Sequence, residues 1–207
     1  HIREFVDIPV VCAGRMDPFT AATSIKEGKI DGAGFARPFL ADQEWVTKLM
    51  EDRPEDIRPC ILCHNGCFNM CHYKGVPNDQ ALMDSLHLAR CAVNAETMQT
   101  GKHHIRKTAT PKKVIIVGGG IAGMEAARVL KLRGHSPTIY EASDRLGGTF
   151  IPASSESYKG KLRELLAWYR KQMKDLQIEI HLNTRIDDIS TFKDMPVIIA
   201  TGSKPRK

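Results

Sequence analysis

KKVIIVGGGIAGMEAARVLKLRGHSPTIYE, Lys112 to Glu141, is the stretch on which the fold turns. VIIV (Val114 to Val117) is a short apolar run, rich in β-branched residues, that stops at three glycines, as a buried parallel strand does. IAGMEAARVLKLRGH has the make-up of a helix, and SPTIYE supplies a second strand. The result is a βαβ unit with Gly118, Gly120 and Gly123 spaced G-x-G-x-x-G at its first turn. Gly118 permits the tight turn, Gly120 lets the backbone approach a pyrophosphate, and Gly123 allows helix and strand to pack closely. The helix start at Ile121 and Ala122 then offers free N–H groups and a positive dipole end to the phosphates. Glu141 ends the second strand, where its carboxylate can accept hydrogen bonds from ribose hydroxyls and would repel a 2′-phosphate. FAD or NAD therefore fits this loop better than NADP.

Downstream, GKLRELLAWYRKQMKDL places Leu162, Leu165, Leu166 and Tyr169 on one helical face, a core-packing stripe. IEIHL and PVIIATG add further strands. DRLGGT (Asp144 to Thr149) and IIATGSKPR (Ile198 to Arg206) resemble the glycine-rich loops of flavoproteins with two dinucleotide domains. That resemblance, and not spacing, favours FAD over NAD. It adds Arg145, Gly147, Gly148, Thr149, Ala200, Thr201 and Gly202 to the candidate cofactor residues.

Upstream, IPVVCAG (Ile8 to Gly14) is another short apolar run expected to be a buried parallel strand. DPFTAATSIKEGK is expected to be a helix with Asp17 as N-cap and Pro18 in its first turn. DGAGFARPFL follows as a strand running into a loop. Two strands cannot complete a barrel or a doubly wound sheet. The chain begins at His1 without a methionine and enters a strand-like segment directly, which suggests that it starts inside a longer chain.

Between Arg53 and Lys113 periodicity fades, and five of the six cysteines gather there. Clustering of this kind points to a metal rather than to disulfides. Cys60, Cys63 and Cys67 are spaced C-x-x-C-x-x-x-C, with Cys91 as a distant fourth. Four thiolates suit an iron–sulfur cluster, here [4Fe–4S], or structural zinc. Cys71 is a competing local fourth ligand. Cys12, in an apolar strand, is expected to be an inert core residue. A metal group would cross-link a segment whose side chains cannot bury a core of ordinary size.

Over its 207 residues the chain has 42% hydrophobic and 26% charged residues, the balance of an ordinary globular protein. It contains no apolar run of about 18 residues, the length needed to span a bilayer, and no signal-peptide pattern. A cytoplasmic protein with no membrane partner is expected. The net charge of +6 is scattered apart from KHHIRKTATPKK (Lys102 to Lys113), a solvated linker, and no recognition pattern accompanies it, so no nucleic-acid partner is expected.

IPVVCAGR, DGAGFARPFLADQEW, DIRPCILCHNGC, CAVN and KKVIIVGGGIAGMEAARVLKLRGH, in that order, resemble the iron–sulfur flavoenzymes of the old yellow enzyme superfamily. Within it the chain is most similar to the 2,4-dienoyl-CoA reductase, 2-enoate reductase and trimethylamine dehydrogenase group. The spacer between Cys67 and Cys91 is longer than that family's usual one. The resemblance implies an α/β chain in three parts: 1–52, the last two βα units of an FMN-binding TIM barrel; 53–112, an irregular iron–sulfur segment and linker; and 113–207, the first half of a Rossmann-like FAD-binding domain. It implies that Gly14, Arg15, Ala36 and Arg37 hold the FMN phosphate, at the place where such barrels build phosphate sites. It also implies an NAD(P)H-dependent oxidoreductase acting on a small unsaturated substrate, or a relative that runs as an amine dehydrogenase or NADH oxidase. The catalytic residues would lie outside these 207 residues, leaving this piece inactive alone. A non-catalytic electron-transfer module carrying the cluster and FAD is the alternative of another class, and a zinc-stabilised nucleotide-binding protein a third.

Overall fold

The structure, a computed structural model, describes residues 2–71 and 89–203, without the side chains of Met70 and Cys71. Among the described residues there are two separate parallel sheets. The first pairs β1 (Val11–Ala13) with β2 (Gly32–Gly34), joined by α1 (Pro18–Lys26). As expected, the Asp17 carboxylate caps α1 by accepting the Thr20 N–H at 2.8 Å, and Pro18 opens the first turn. The expected burial of the first strand is not met. Val11 is 65% exposed, because among the described residues the sheet has two strands and little packs over it. Two short helices follow, α2 (Arg37–Ala41) and α3 (Trp45–Met50).

The second sheet carries β3 (Lys113–Val117), β4 (Ser136–Tyr140), β5 (Glu179–His181) and β6 (Val197–Ile199) in the order β5-β4-β3-β6, all parallel. The longer helices of this half are α6 (Ile121–Leu132) and α8 (Gly160–Asp175). The single-turn helices are α4 (Phe68–Cys71), α5 (Thr100–His103) and α7 (Phe150–Ala153). Ile116 and Ile139 on the central strands, Met124 on α6 and Met173 on α8 are fully buried. Leu165, Leu166 and Tyr169 bury the predicted stripe of α8, with Leu162 at its margin. Burial of each large aliphatic side chain stabilises the fold by about 1.5–3 kcal/mol. The strand order reverses at β3: the chain moves from β3 to β4 and β5 on one side and returns to β6 on the other. In open α/β sheets the crevice at the carboxyl ends of such strands is where ligands bind.

Among its described residues the segment between the sheets has little apolar core, and hydrogen bonds tie it to both sheets. Asn94 Nδ2 and Thr97 Oγ1 donate to the Leu40 carbonyl at the end of α2, at 3.1 and 2.6 Å. Asp42 accepts from the Arg58 N–H and from Lys48. On the other side, buried Trp168 of α8 donates its indole N–H to the Asp56 carbonyl at 2.9 Å, with the Arg58 guanidinium 4.9 Å from the ring centroid. Trp168→Phe keeps an aromatic side chain but removes the five-membered ring of the indole and, with it, that donor. The expected cost exceeds about 1 kcal/mol, the net worth of one hydrogen bond, because the lost ring also leaves a cavity, and it is read as a lower urea midpoint for the full-length protein.

Candidate functional site

Three clusters of candidate residues can be built from the chain, and the first lies at the end of β3. Gly118 has φ +111, a left-handed conformation closed to most residues, and a Cβ there would overlap the Ala200 carbonyl. A Cβ on Gly123 would overlap the Gly118 carbonyl, so α6 packs directly on the turn. Around the Cβ position of Gly120, by contrast, no atom lies within 4 Å. Of the three glycines, only Gly120 faces open space, where the sequence pattern places a pyrophosphate. Ile121 and Ala122 form the first turn of α6 beside it.

The other two loops close around this turn. The Gly147 N–H donates to the Gly119 carbonyl at 2.9 Å, and a Cβ on Gly148 would lie 3.4 Å from the Gly120 Cα. The Ala200 N–H donates to the Val117 carbonyl at 2.8 Å, carrying exposed Thr201 and Gly202 past the mouth of the site. Thr149 starts α7, and exposed Arg145 forms a bidentate pair with Asp144 at 2.7 and 2.8 Å. The residues present therefore fit the pyrophosphate end of a dinucleotide.

Glu141 follows β4 as expected, and it has a second task. Its Oε2 accepts the Gly119 N–H at 2.6 Å, while Oε1 accepts the Ser143 N–H and hydroxyl at 2.8 and 2.7 Å. Burial alone would raise its pKa, but the bonds from Ser143 and Gly119 outweigh burial and hold it below the ordinary 4.5. A folded pKa below the unfolded one means that the carboxylate stabilises the loop above pH about 4.5, and the contribution fades as pH falls through the folded value. Glu141→Gln should therefore lower thermal stability near neutrality and flatten its decline in acid, as a pH series of unfolding temperatures would show.

Arg170 of α8 was not singled out by any sequence signal. Its Nε and Nη2 donate to the Leu146 carbonyl at 3.1 and 2.6 Å and so clamp the second glycine loop.

The second cluster follows β1 and β2. Gly14, Arg15, Ala36 and Arg37 all line one cavity of about 670 Å³, which also reaches Cys60 and Leu62 of the cysteine loop. Gly14 and Arg15 have φ of +108 and +52, and no atom lies within 4 Å of a Cβ built on Gly14. Two arginines at a cavity wall beside an open stretch of backbone fit a phosphate-bearing group.

The third cluster is the cysteines. Cys60, Cys63, Cys67 and Cys91 line a second, smaller cavity. Distant Cys91 is delivered there because the Arg90 N–H donates to the Gly66 carbonyl at 2.5 Å, and the absence of a side chain on Gly66 allows this approach. Burial pushes the Cys91 thiol up in pKa, while backbone N–H groups of Val93 and Asn94 pull it down; Cys60 and Cys63 lie near enough to raise it further. Metal binding would deprotonate such a thiol outright. Among the described residues no three His, Cys, Asp or Glu side chains converge on a single ion position. The four cysteines line the same cavity, and four thiolates are a donor set that suits an iron–sulfur group. The side chain of Cys71 lies outside the described residues. Cys12 is a half-buried free thiol in β1.

The match to the pyridine nucleotide-disulphide oxidoreductases runs over residues 77–195, more than half of the chain. The chain belongs to that family. Pyridine nucleotide-disulphide oxidoreductases are flavin- and nucleotide-binding redox proteins, and the glycine loop lies in their FAD- and NAD(P)H-binding fold. Cinnamate reductase of Clostridium sporogenes is 38% identical over 208 residues, covering 99% of this chain and 30% of the relative. The structure of 2-naphthoyl-CoA reductase with 2-naphthoyl-CoA superposes with a TM-score of 0.82 at 32% identity, over 100% of this chain and 30% of that one. Histamine dehydrogenase from Rhizobium sp. 4-9 gives 0.81 at 30% identity, over 100% and 29%. This member of the pyridine nucleotide-disulphide oxidoreductases thus belongs with the flavoenzymes around 2,4-dienoyl-CoA reductase and trimethylamine dehydrogenase. It spans about 30% of the length of these relatives. Among the described residues no helix is long and apolar enough to cross a membrane.

Proposed function

We propose that this chain is the connecting part of a cytoplasmic NAD(P)H-dependent oxidoreductase that reduces an activated carbon–carbon double bond of an enoate or acyl-CoA type. In this reading residues 1–52 end an FMN-binding TIM barrel, 53–112 hold a [4Fe–4S] cluster, and 113–207 begin the FAD domain. The bound groups would supply the redox chemistry: FAD would accept a hydride from NAD(P)H, the cysteine-held cluster would pass electrons one at a time, and FMN would collect the pair for two-electron reduction of the double bond. Gly120 and the first turn of α6 bind the FAD pyrophosphate, Gly14, Arg15, Ala36 and Arg37 the FMN phosphate, and Cys60, Cys63, Cys67 and Cys91 the irons.

The observation that carries this reading is the adjacency of two cavities. Cys60 and Arg37 line both the 670 Å³ cavity of the proposed FMN site and the cavity of the four cysteines. A one-electron carrier placed there would sit beside the flavin it serves. Resemblance to a cinnamate reductase and a naphthoyl-CoA reductase supports reduction of an unsaturated acid derivative. Resemblance to a histamine dehydrogenase favours, as the second reading, the same layout run oxidatively on an amine.

The test is anaerobic purification of the full-length protein, with iron, sulfide and flavin analysis, then turnover with NADH or NADPH and cinnamate-type acids or their thioesters. Iron, sulfide, FMN and FAD together with loss of the double bond are expected. Zinc without iron would refute the electron-transfer account, and amine oxidation without alkene reduction would favour the second reading.

A further inference from the structure

His64 sits between Cys63 and Cys67, in the loop that forms the cysteine cavity, and has φ +55. A non-glycine residue in the left-handed region is strained by about 1 kcal/mol and persists where its surroundings over-determine it. The turn is held by the Asn69 N–H donating to the His64 carbonyl at 3.1 Å and by the edge of the His64 ring against Phe68. In this conformation His64 Nε2 lies 2.9 Å from Nη1 of Arg37, a residue that lines both cavities. A guanidinium has donors and no acceptor, so Nε2 must accept and the ring proton must reside on Nδ1. The bond joins a residue of the cysteine loop to a cation at the wall of the larger cavity, 27 positions away.

We infer that His64 is a positioning residue. By accepting this bond it aims Arg37 at the FMN phosphate, so that assembly of the cluster, which orders the loop carrying His64, strengthens FMN retention. The inference rests on the FMN and cluster sites proposed above. Arg37 is half-buried, with a long side chain of many rotamers. A fixed acceptor selects one of them before the flavin arrives, and a charge-assisted hydrogen bond is strong enough to do so. The coupling acts on the phosphate alone, since the isoalloxazine ring has no share in the bond. FMN should feel it, and riboflavin, which lacks the phosphate, should not.

The experiment titrates FMN and riboflavin, by quenching of flavin fluorescence, into the flavin-stripped full-length protein with its iron content measured. His64→Ala should weaken FMN about tenfold and leave riboflavin within about twofold, while His64→Gln, whose amide oxygen can accept the same bond, should regain most of the loss. Arg37→Met should abolish the preference for FMN, and adding His64→Ala to it should cost nothing further, as expected if both act through one bond. In Cys63→Ser protein that has lost its iron, FMN should weaken to a similar extent. Unchanged FMN binding in His64→Ala protein with full iron content would overturn the inference. Equal weakening of FMN and riboflavin, or additive losses in the double variant, would also overturn it, by reducing His64 to a structural role. A wild-type protein that binds no FMN at all would instead sink the proposed function.

Discussion

Replacing Gly120 by valine is expected to leave the fold standing and to weaken FAD binding on the order of a hundredfold, or about 3 kcal/mol. Both parts follow from the empty space at this residue. Gly120 has φ −72, which any L-residue adopts, and no protein atom lies within 4 Å of its Cβ position, so the unliganded protein should accept the side chain. The methyl groups then stand where the phosphates must approach. Gly123→Ala is the control with the opposite cause, because its Cβ overlaps the Gly118 carbonyl and the backbone of the turn must move. Flavin content and unfolding temperature of the full-length protein separate the two. Gly120→Val should lose the flavin at nearly unchanged apoprotein stability, and Gly123→Ala should lose both. Full FAD retention by Gly120→Val would show that the pyrophosphate lies elsewhere.

The two glycines illustrate what could be read in the sequence. Their spacing, the strand VIIV and Glu141 mark a dinucleotide turn because local backbone geometry sets all of these within 30 residues, so the β3–α6–β4 unit was legible in full. The Asp17 cap and the apolar stripe of α8 were legible for the same reason. Cys60, Cys63 and Cys67 announce themselves by spacing. Cys91 could be read as a distant fourth, with Cys71 as its competitor, but the backbone contact between Gly66 and Arg90 that places it across a long spacer could not. Arg170 on the Leu146 carbonyl, Trp168 on the Asp56 carbonyl and His64 on Arg37 were not legible either. These bonds span 24, 112 and 27 positions, and each uses a residue that an exposed helix, a core or a loop would equally contain. Even Glu141, which was legible, bonds to Gly119 and Ser143 in a way that its position after a strand did not disclose.

Such non-local bonds assemble the candidate centre from three parts. Asn94 and Thr97 dock the cysteine segment on α2, which begins at Arg37, while Trp168 and Lys171 of α8 hold Asp56 at the other end of that segment. The segment is thereby held from both sides, with little apolar core among its described residues. Iron–sulfur ligation would add cross-links at the cavity that Cys60, Cys63, Cys67 and Cys91 line.

Those cross-links carry the second large effect. Cys91→Ser should remove the cluster, with iron and acid-labile sulfide falling from about four of each per chain towards zero, whereas Cys71→Ser should retain them. Cys91 shares its cavity with Cys60, Cys63 and Cys67, and its thiol receives N–H groups from Val93 and Asn94, donors that stabilise the negative charge of a ligating thiolate. Serine keeps the size of the side chain but is a poor ligand for iron, so the loss reports ligation and not packing. The control for folding is FAD content. The turn at Gly118 to Gly123 is built on β3 and α6 and shares no bond with Cys91, so Cys91→Ser protein should keep its FAD while losing its iron. If Cys71→Ser instead strips the iron and Cys91→Ser spares it, the fourth ligand comes from the local C-x-x-x-C, and Cys91 is only a neighbour of the site.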